Sequence, residues 1–74
     1  MKIVMRTQET ISKEVVIKVG DYIHSFMLMS TCEVIKVTQN SVIIQEIPEY
    51  AGGRVIRSYT LYEKDLQNCI HIPL

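Results

Sequence analysis

Residues 32–47 read CEVIKVTQNSVIIQEI. The first half alternates, with Ile35 and Val37 on one face and Lys36 on the other, the period-two pattern of a half-buried strand. Val42 to Ile47 answers with a second β-branched run. Between them Gln39-Asn40-Ser41 supplies turn chemistry, because Asn and Ser side chains hydrogen-bond their own backbone and stabilise a reversal. Two such runs across a short polar turn predict an antiparallel hairpin.

Outward from that hairpin the chain continues as strands and turns. Upstream, Lys13 to Val19 alternates, with Val15, Ile17 and Val19 sharing a face, and Gly20-Asp21 follows as a turn. Downstream, Pro48 cannot donate to a ladder and stops the strand. Residues 49–53, EYAGG, form a loop, and Arg54 to Thr60 reads as a further strand. Thr60-Leu61-Tyr62-Glu63 matches a capping box, in which the Thr oxygen and the Glu carboxylate each satisfy a free backbone N–H. One helical turn over KDLQN follows, with Asn68 as a candidate for a left-handed closing residue. Cys69 to Ile72 makes a short last strand that ends at Pro73. The predicted core is Val15, Ile17, Ile35, Val37, Ile44, Ile56, Leu66 and Ile70.

This order of strand, long irregular segment, hairpin, strand, helical turn and short last strand resembles the SH3-like small β-barrel. The resemblance covers roughly Lys13 to Ile72 and rests on element order. It implies an all-β domain over residues 13–74, a five- to six-stranded barrel with one short helical turn before the last strand. Residues 1–12 then stand outside the plan, as an extension or an extra edge strand. It also implies that the segment after the first strand is a recognition loop.

That segment contains HSFMLMST, His24 to Thr31. Elsewhere the apolar residues are mostly Val and Ile; here they are Phe26, Met27, Leu28 and Met29. A continuous apolar run cannot point all its side chains at one core. Met and Leu also repack readily around varied partners. Two readings follow, plain core packing or core packing shared with an interface, and the interface is the functional clue.

Composition agrees. Hydrophobic residues are 47% of a 74-residue chain, although a small domain has proportionally more surface to keep polar. Some apolar area is therefore expected to meet another protein or a second copy. The eight basic and eight acidic residues balance, against the basic excess that phosphate binding requires, so a nucleic-acid-binding barrel is the second-ranked reading. No apolar run reaches the length of a membrane span. Two cysteines fit a reducing, cytoplasmic setting better than a disulfide scaffold.

Specific chemistry finds little support. Proline-rich ligands are gripped by aromatic grooves, yet there is no Trp and no ALYDY-like run. His24, Cys32, Cys69 and His71 are the nitrogen and sulfur ligands available. Cys69 and His71 share a strand face, but no CxxC turn chelates a metal, so no metal or cofactor is expected. No nucleophile stands beside an evident base, and the chain reads as non-catalytic. Arg57 and Tyr59 share a face, a pair able to grip a base or to cover an apolar edge with the Arg stem; the neutral charge favours the second. The partner-binding candidates are Tyr22, Phe26, Met27, Met29, Tyr50, Arg57 and Tyr59. The expected function is a non-catalytic interaction module, an adaptor or small inhibitor of the size that phages and mobile elements encode.

Overall fold

The computed structural model describes residues 1–9, 11–50, 52–53 and 55–74, with Tyr50 described by its backbone alone. The predicted hairpin is present as β4 (Ser30–Val37) and β5 (Ser41–Glu46), paired antiparallel. Thr38 closes its turn: the Ser41 N–H donates to Thr38 Oγ1 at 3.0 Å, and the Thr38 N–H donates to the Ser41 carbonyl at 2.9 Å.

Within β4 the register breaks between Val34, opposite Ile44, and Lys36, opposite Ile43. Ile35 is the extra residue of a β-bulge, which places neighbouring side chains on the same side of the strand. Cys32 and Val34 are therefore buried, while Ile35 is 41% exposed. Strict alternation had assigned Ile35 to the core. The bulge reverses that, and it leaves Val37 half-buried.

Five further strands complete one sheet. These are β1 (Lys2–Thr7), β2 (Ser12–Val16), β3 (Tyr22–Ser25), β6 (Ser58–Tyr62) and β7 (Cys69–Ile72), in the order β2-β1-β7-β3-β4-β5-β6. The protein is all-β, with seven strands where the sequence reading counted five or six. Residues 2–7 form β1, which lies between β2 and β7, pairs parallel to β7, and buries Ile3 and Met5. At its start, the Met1 amino group donates to the Ile17 carbonyl at 3.1 Å, and the Ile17 N–H donates to the Met1 carbonyl at 2.8 Å.

A single sheet with so little helix buries a face only by curling over itself. The inward side chains Ile23, Cys32, Val34, Val42 and Ile44 are completely buried and join Ile3, Met5, Val15 and Ile17 in one core. The curl brings the β3–β4 hairpin against β6, where Ser25, Met27 and Leu28 face Tyr59, Thr60 and Leu61 across a small cleft. The one α-helix, α1 (Glu63–Leu66), contributes Leu66 to the core.

The α1 start differs from the predicted capping box because Thr60 is paired with Ile43 inside β6. The Asp65 carboxylate accepts the Tyr62 N–H at 2.9 Å instead. Asn68 does not close the helix in the left-handed region; among the described non-glycine residues only Met29 has positive φ. Val15, Ile17, Ile44 and Leu66 are buried as predicted, whereas Ile56 and Ile70 are half-buried. In β7 it is Cys69 and His71 that face inward.

Gly20-Asp21 forms the predicted turn. The Asp21 carboxylate is almost fully enclosed, and three donors converge on it. His71 Nε2 lies 2.8 Å from Oδ2, the Lys18 N–H donates to Oδ2 at 3.0 Å, and the Leu74 N–H donates to Oδ1 at 3.1 Å. Gly20 has φ +98°, and a Cβ there would lie 3.3 Å from Leu74 Cδ2. The turn also carries Val19 off the inner face, where it is largely exposed.

Two outcomes follow. Ile44→Ala should lower the unfolding free energy by about 2–5 kcal/mol in urea titrations, whereas Ile35→Ala should change it by less than about 1 kcal/mol. The second concerns acid. Burial alone would raise the Asp21 carboxyl, but the His71 contact and the two backbone donors outweigh it and hold the pKa below its ordinary 3.8. A carboxyl depressed in the folded state stabilises the fold above its unfolded pKa, and loses that contribution as pH falls through the folded value. Asp21→Asn should therefore be less stable at neutral pH by about 1–3 kcal/mol. Its thermal midpoint should also fall less than the parent's between neutral pH and about pH 3.

Candidate functional site

HSFMLMST is the β3–β4 hairpin rather than a long loop or a continuous strand. Ser25 pairs with Ser30, and Phe26–Met29 turn the chain. The turn has a local cause: the Leu28 N–H donates to Ser25 Oγ at 3.2 Å, and Met29 takes φ 53°, a left-handed conformation uncommon for a side chain of its size. Leu28 packs against the core. Met27 and Met29 stand 76% and 78% exposed. The run thus divides one anchor from two projecting thioethers, with Phe26 half-exposed beside them.

Beneath the tip lies an open groove of about 630 Å³. Its walls are the hairpin, with His24, Met27, Leu28, Met29, Ser30 and Thr31, and the β5–β6 side, with Glu46, Arg57 and Tyr59. His24 is fixed twice. Its Nδ1 lies 2.9 Å from Thr31 Oγ1, and its ring meets Phe26 edge-on at 5.1 Å between centroids. Glu46 is buried, and its Oε1 accepts the Arg57 N–H at 2.9 Å, while its own N–H donates to the Arg57 carbonyl at 3.0 Å. Arg57 is thereby held at the groove by its backbone. Among the described residues its guanidinium has no ion-pair partner, so it presents a cation to whatever enters.

Of the candidates, the structure gathers Met27, Met29, Arg57 and Tyr59 in this groove. Phe26 flanks it through His24. Tyr22 lines a neighbouring concavity with Ile47, Glu49 and Ile72, which meets the groove at Thr31. The Tyr50 side chain lies outside the described residues. His24, Thr31 and Glu46 were missed. Their only sequence signal was position, since His24 and Thr31 bracket the methionines and Glu46 interrupts an apolar strand.

The four potential metal ligands do not converge, and among the described residues no group of three or more His, Cys, Asp or Glu side chains has metal-binding geometry. His71 is engaged by Asp21, His24 by Thr31, and Cys69 Sγ donates to the Asp65 carbonyl at 3.3 Å. Both cysteines are free and buried. Burial raises the Cys32 thiol despite its contact with Ser30, and the Glu46 charge adds to the rise. Burial likewise raises Cys69, with Asp65 and Cys32 adding to it against the Ser25 hydrogen bond.

Comparisons with protein-family models, with curated proteins and with solved structures found no match to this chain.

Because a thiolate is the reactive form, neither cysteine should be labelled by iodoacetamide in the folded protein. Mass spectrometry should show both carrying the label once urea unfolds the chain. Rapid labelling of the native protein at either position would contradict the enclosed environment.

Proposed function

We propose that this chain is a non-catalytic protein-interaction module, and that the Met27–Met29 hairpin with its Arg57–Tyr59 wall is the contact surface. The observation that carries the reading is the pair of projecting methionines on a hairpin whose base is fixed by Ser25, Leu28 and the His24–Thr31 contact. Exposed thioethers contribute apolar area only when a partner covers them. A flexible side chain on a rigid base presents an adaptable surface at a defined position.

The groove's chemistry suits a polypeptide. Its described residues offer apolar area from methionine, an aromatic ring at Tyr59, hydroxyls at Ser30 and Thr31, and a cation at Arg57. Phosphate-backbone recognition calls for several basic side chains on one surface, and among the described residues this groove has a single arginine beside a glutamate. The curled sheet, with one helical turn before its last strand, supports the SH3-like likeness as an architecture for such a module. Its ligand is not a proline helix held between aromatic rings, because Tyr59 is the groove's only such ring among the described residues.

Replacing both Met27 and Met29 with Ser tests the reading. Both side chains lie largely outside the core, so the thermal midpoint should stay within a few degrees of the parent's. Capture of a reproducible protein partner from source-cell lysate should fall at least about tenfold, the equivalent of roughly 1.4 kcal/mol. Capture at parental level by a fully folded double variant would show that the hairpin is not the contact surface.

A further inference from the structure

The polar groups around the groove are unequal in what they have left to bind. Glu46, the one carboxylate among its described lining residues, is buried and already accepts the Arg57 N–H at 2.9 Å. The groups with remaining capacity are donors. Arg57 is exposed, and among the described residues its guanidinium has neither a hydrogen-bond nor an ion-pair partner. His24 engages Thr31 Oγ1 through Nδ1 at 2.9 Å, and no partner for Nε2 occurs among the described residues. Where Thr31 donates to Nδ1, the ring proton sits on Nε2. Ser30 Oγ accepts from Cys32 Sγ at 4.0 Å, which leaves its hydroxyl proton to donate. Donors in excess of acceptors favour an anion, and a guanidinium matches a carboxylate in both charge and shape.

The groove also continues beyond the hairpin. Thr31 is a wall both of the groove and of the concavity formed with Tyr22, Ile47, Glu49 and Ile72. Tyr22, Ile47 and Ile72 are half-buried there and supply apolar surface, with the exposed Glu49 beside them. A chain end would fill the groove and stop. An internal segment lies across Thr31 and uses both hollows. The charges at the two ends differ in sign, Arg57 at one and Glu49 at the other, so an acidic side chain is attracted at the first and repelled at the second.

We propose that the occupant of this surface is an extended internal segment of a partner protein that places an Asp or Glu side chain on Arg57. Its apolar side chains then lie on either side of Thr31, against Met27 and Met29 in the groove and against Tyr22, Ile47 and Ile72 beyond it. The inference rests on the groove reading above and names the chemistry that the groove selects.

Selection of a phage-displayed random-peptide library on the immobilised parent tests this, followed by nuclear magnetic resonance titration with the enriched sequence as an acetylated, amidated peptide. The parent should enrich one acidic residue flanked by apolar ones. The peptide should shift the amide signals of Thr31 and Arg57 together with those of Tyr22 and Ile47. Replacing its acidic residue with the matching amide should weaken binding by at least about tenfold. Arg57→Glu should lose the parental peptide to the same degree and enrich Lys or Arg at the acidic position. Should that variant not fold, Arg57→Gln provides the same loss. Peptides that need Met27 and Met29 but show no acidic preference would overturn the ligand assigned here and leave the contact surface standing. Peptides that bind the Met27→Ser, Met29→Ser double variant at parental strength would overturn the groove reading itself. A parent that enriches no sequence, or that sediments as a dimer which the same double variant dissociates, would overturn the acidic segment as occupant, the dimer by showing that a second copy covers the groove.

Discussion

A buried carboxylate, Asp21, ties together three parts of the chain that no single strand pairing connects. Its oxygens receive the Lys18 N–H from the turn after β2, the His71 ring from β7, and the Leu74 N–H. Its own carbonyl accepts the Val34 N–H at 2.8 Å, which docks the same turn onto β4. An ionised carboxylate away from water is costly unless its acceptor sites are filled. The requirement is met only when turn, C-terminal strand and β4 are all in place, so the group favours one arrangement of the sheet over its near alternatives. The bulge at Ile35 lies next to that docking point. It turns Val34 toward the core at the residue whose N–H reaches Asp21, and the groove further along the same hairpin inherits its geometry from that register.

The hairpin of β4 and β5 was legible because its turn residues and its β-branched runs point to the same answer. The Gly20-Asp21 turn was legible for the same reason. That Cys69 and His71 share a strand face also followed from their spacing, but theirs is the inner face, where Ile70 was expected. Ile35 was not legible. A bulge leaves no mark in an alternating pattern, and V-I-K reads equally well in either register until the partner strand selects one. Residues 1–12 were set apart because a fold analogy had no place for them, although Ile3 and Met5 alternate with Lys2, Val4 and Arg6 as a half-buried strand does. Thr60 offered a valid cap, yet pairing with Ile43 holds it in a strand, a tertiary override of a local signal.

The candidate site was partly readable. Residue type distinguished Met27 and Met29 from their surroundings, and the shared face of Arg57 and Tyr59 followed from strand parity. Their meeting was not readable, since it depends on how far the sheet curls. That curl also explains why four unbranched apolar residues in sequence create no conflict. A tight turn lets Leu28 point inward while its neighbours point out, which neither a strand nor a loose recognition loop would do.

The parallel pairing of β1 with β7 has a consequence for how the molecule comes into being. β1 is held between a neighbour a few residues away and one more than sixty residues along the chain. The near pairing closes a short loop, but the far one must wait until almost every other segment is available, and loop closure over such a span is entropically slow. During synthesis Ile3 and Met5 emerge early and remain without their final cover until β7 arrives. The apolar face of β1 thus waits for its second neighbour across the whole interval that separates the two strands, and β7 acts as the latch that ends the wait.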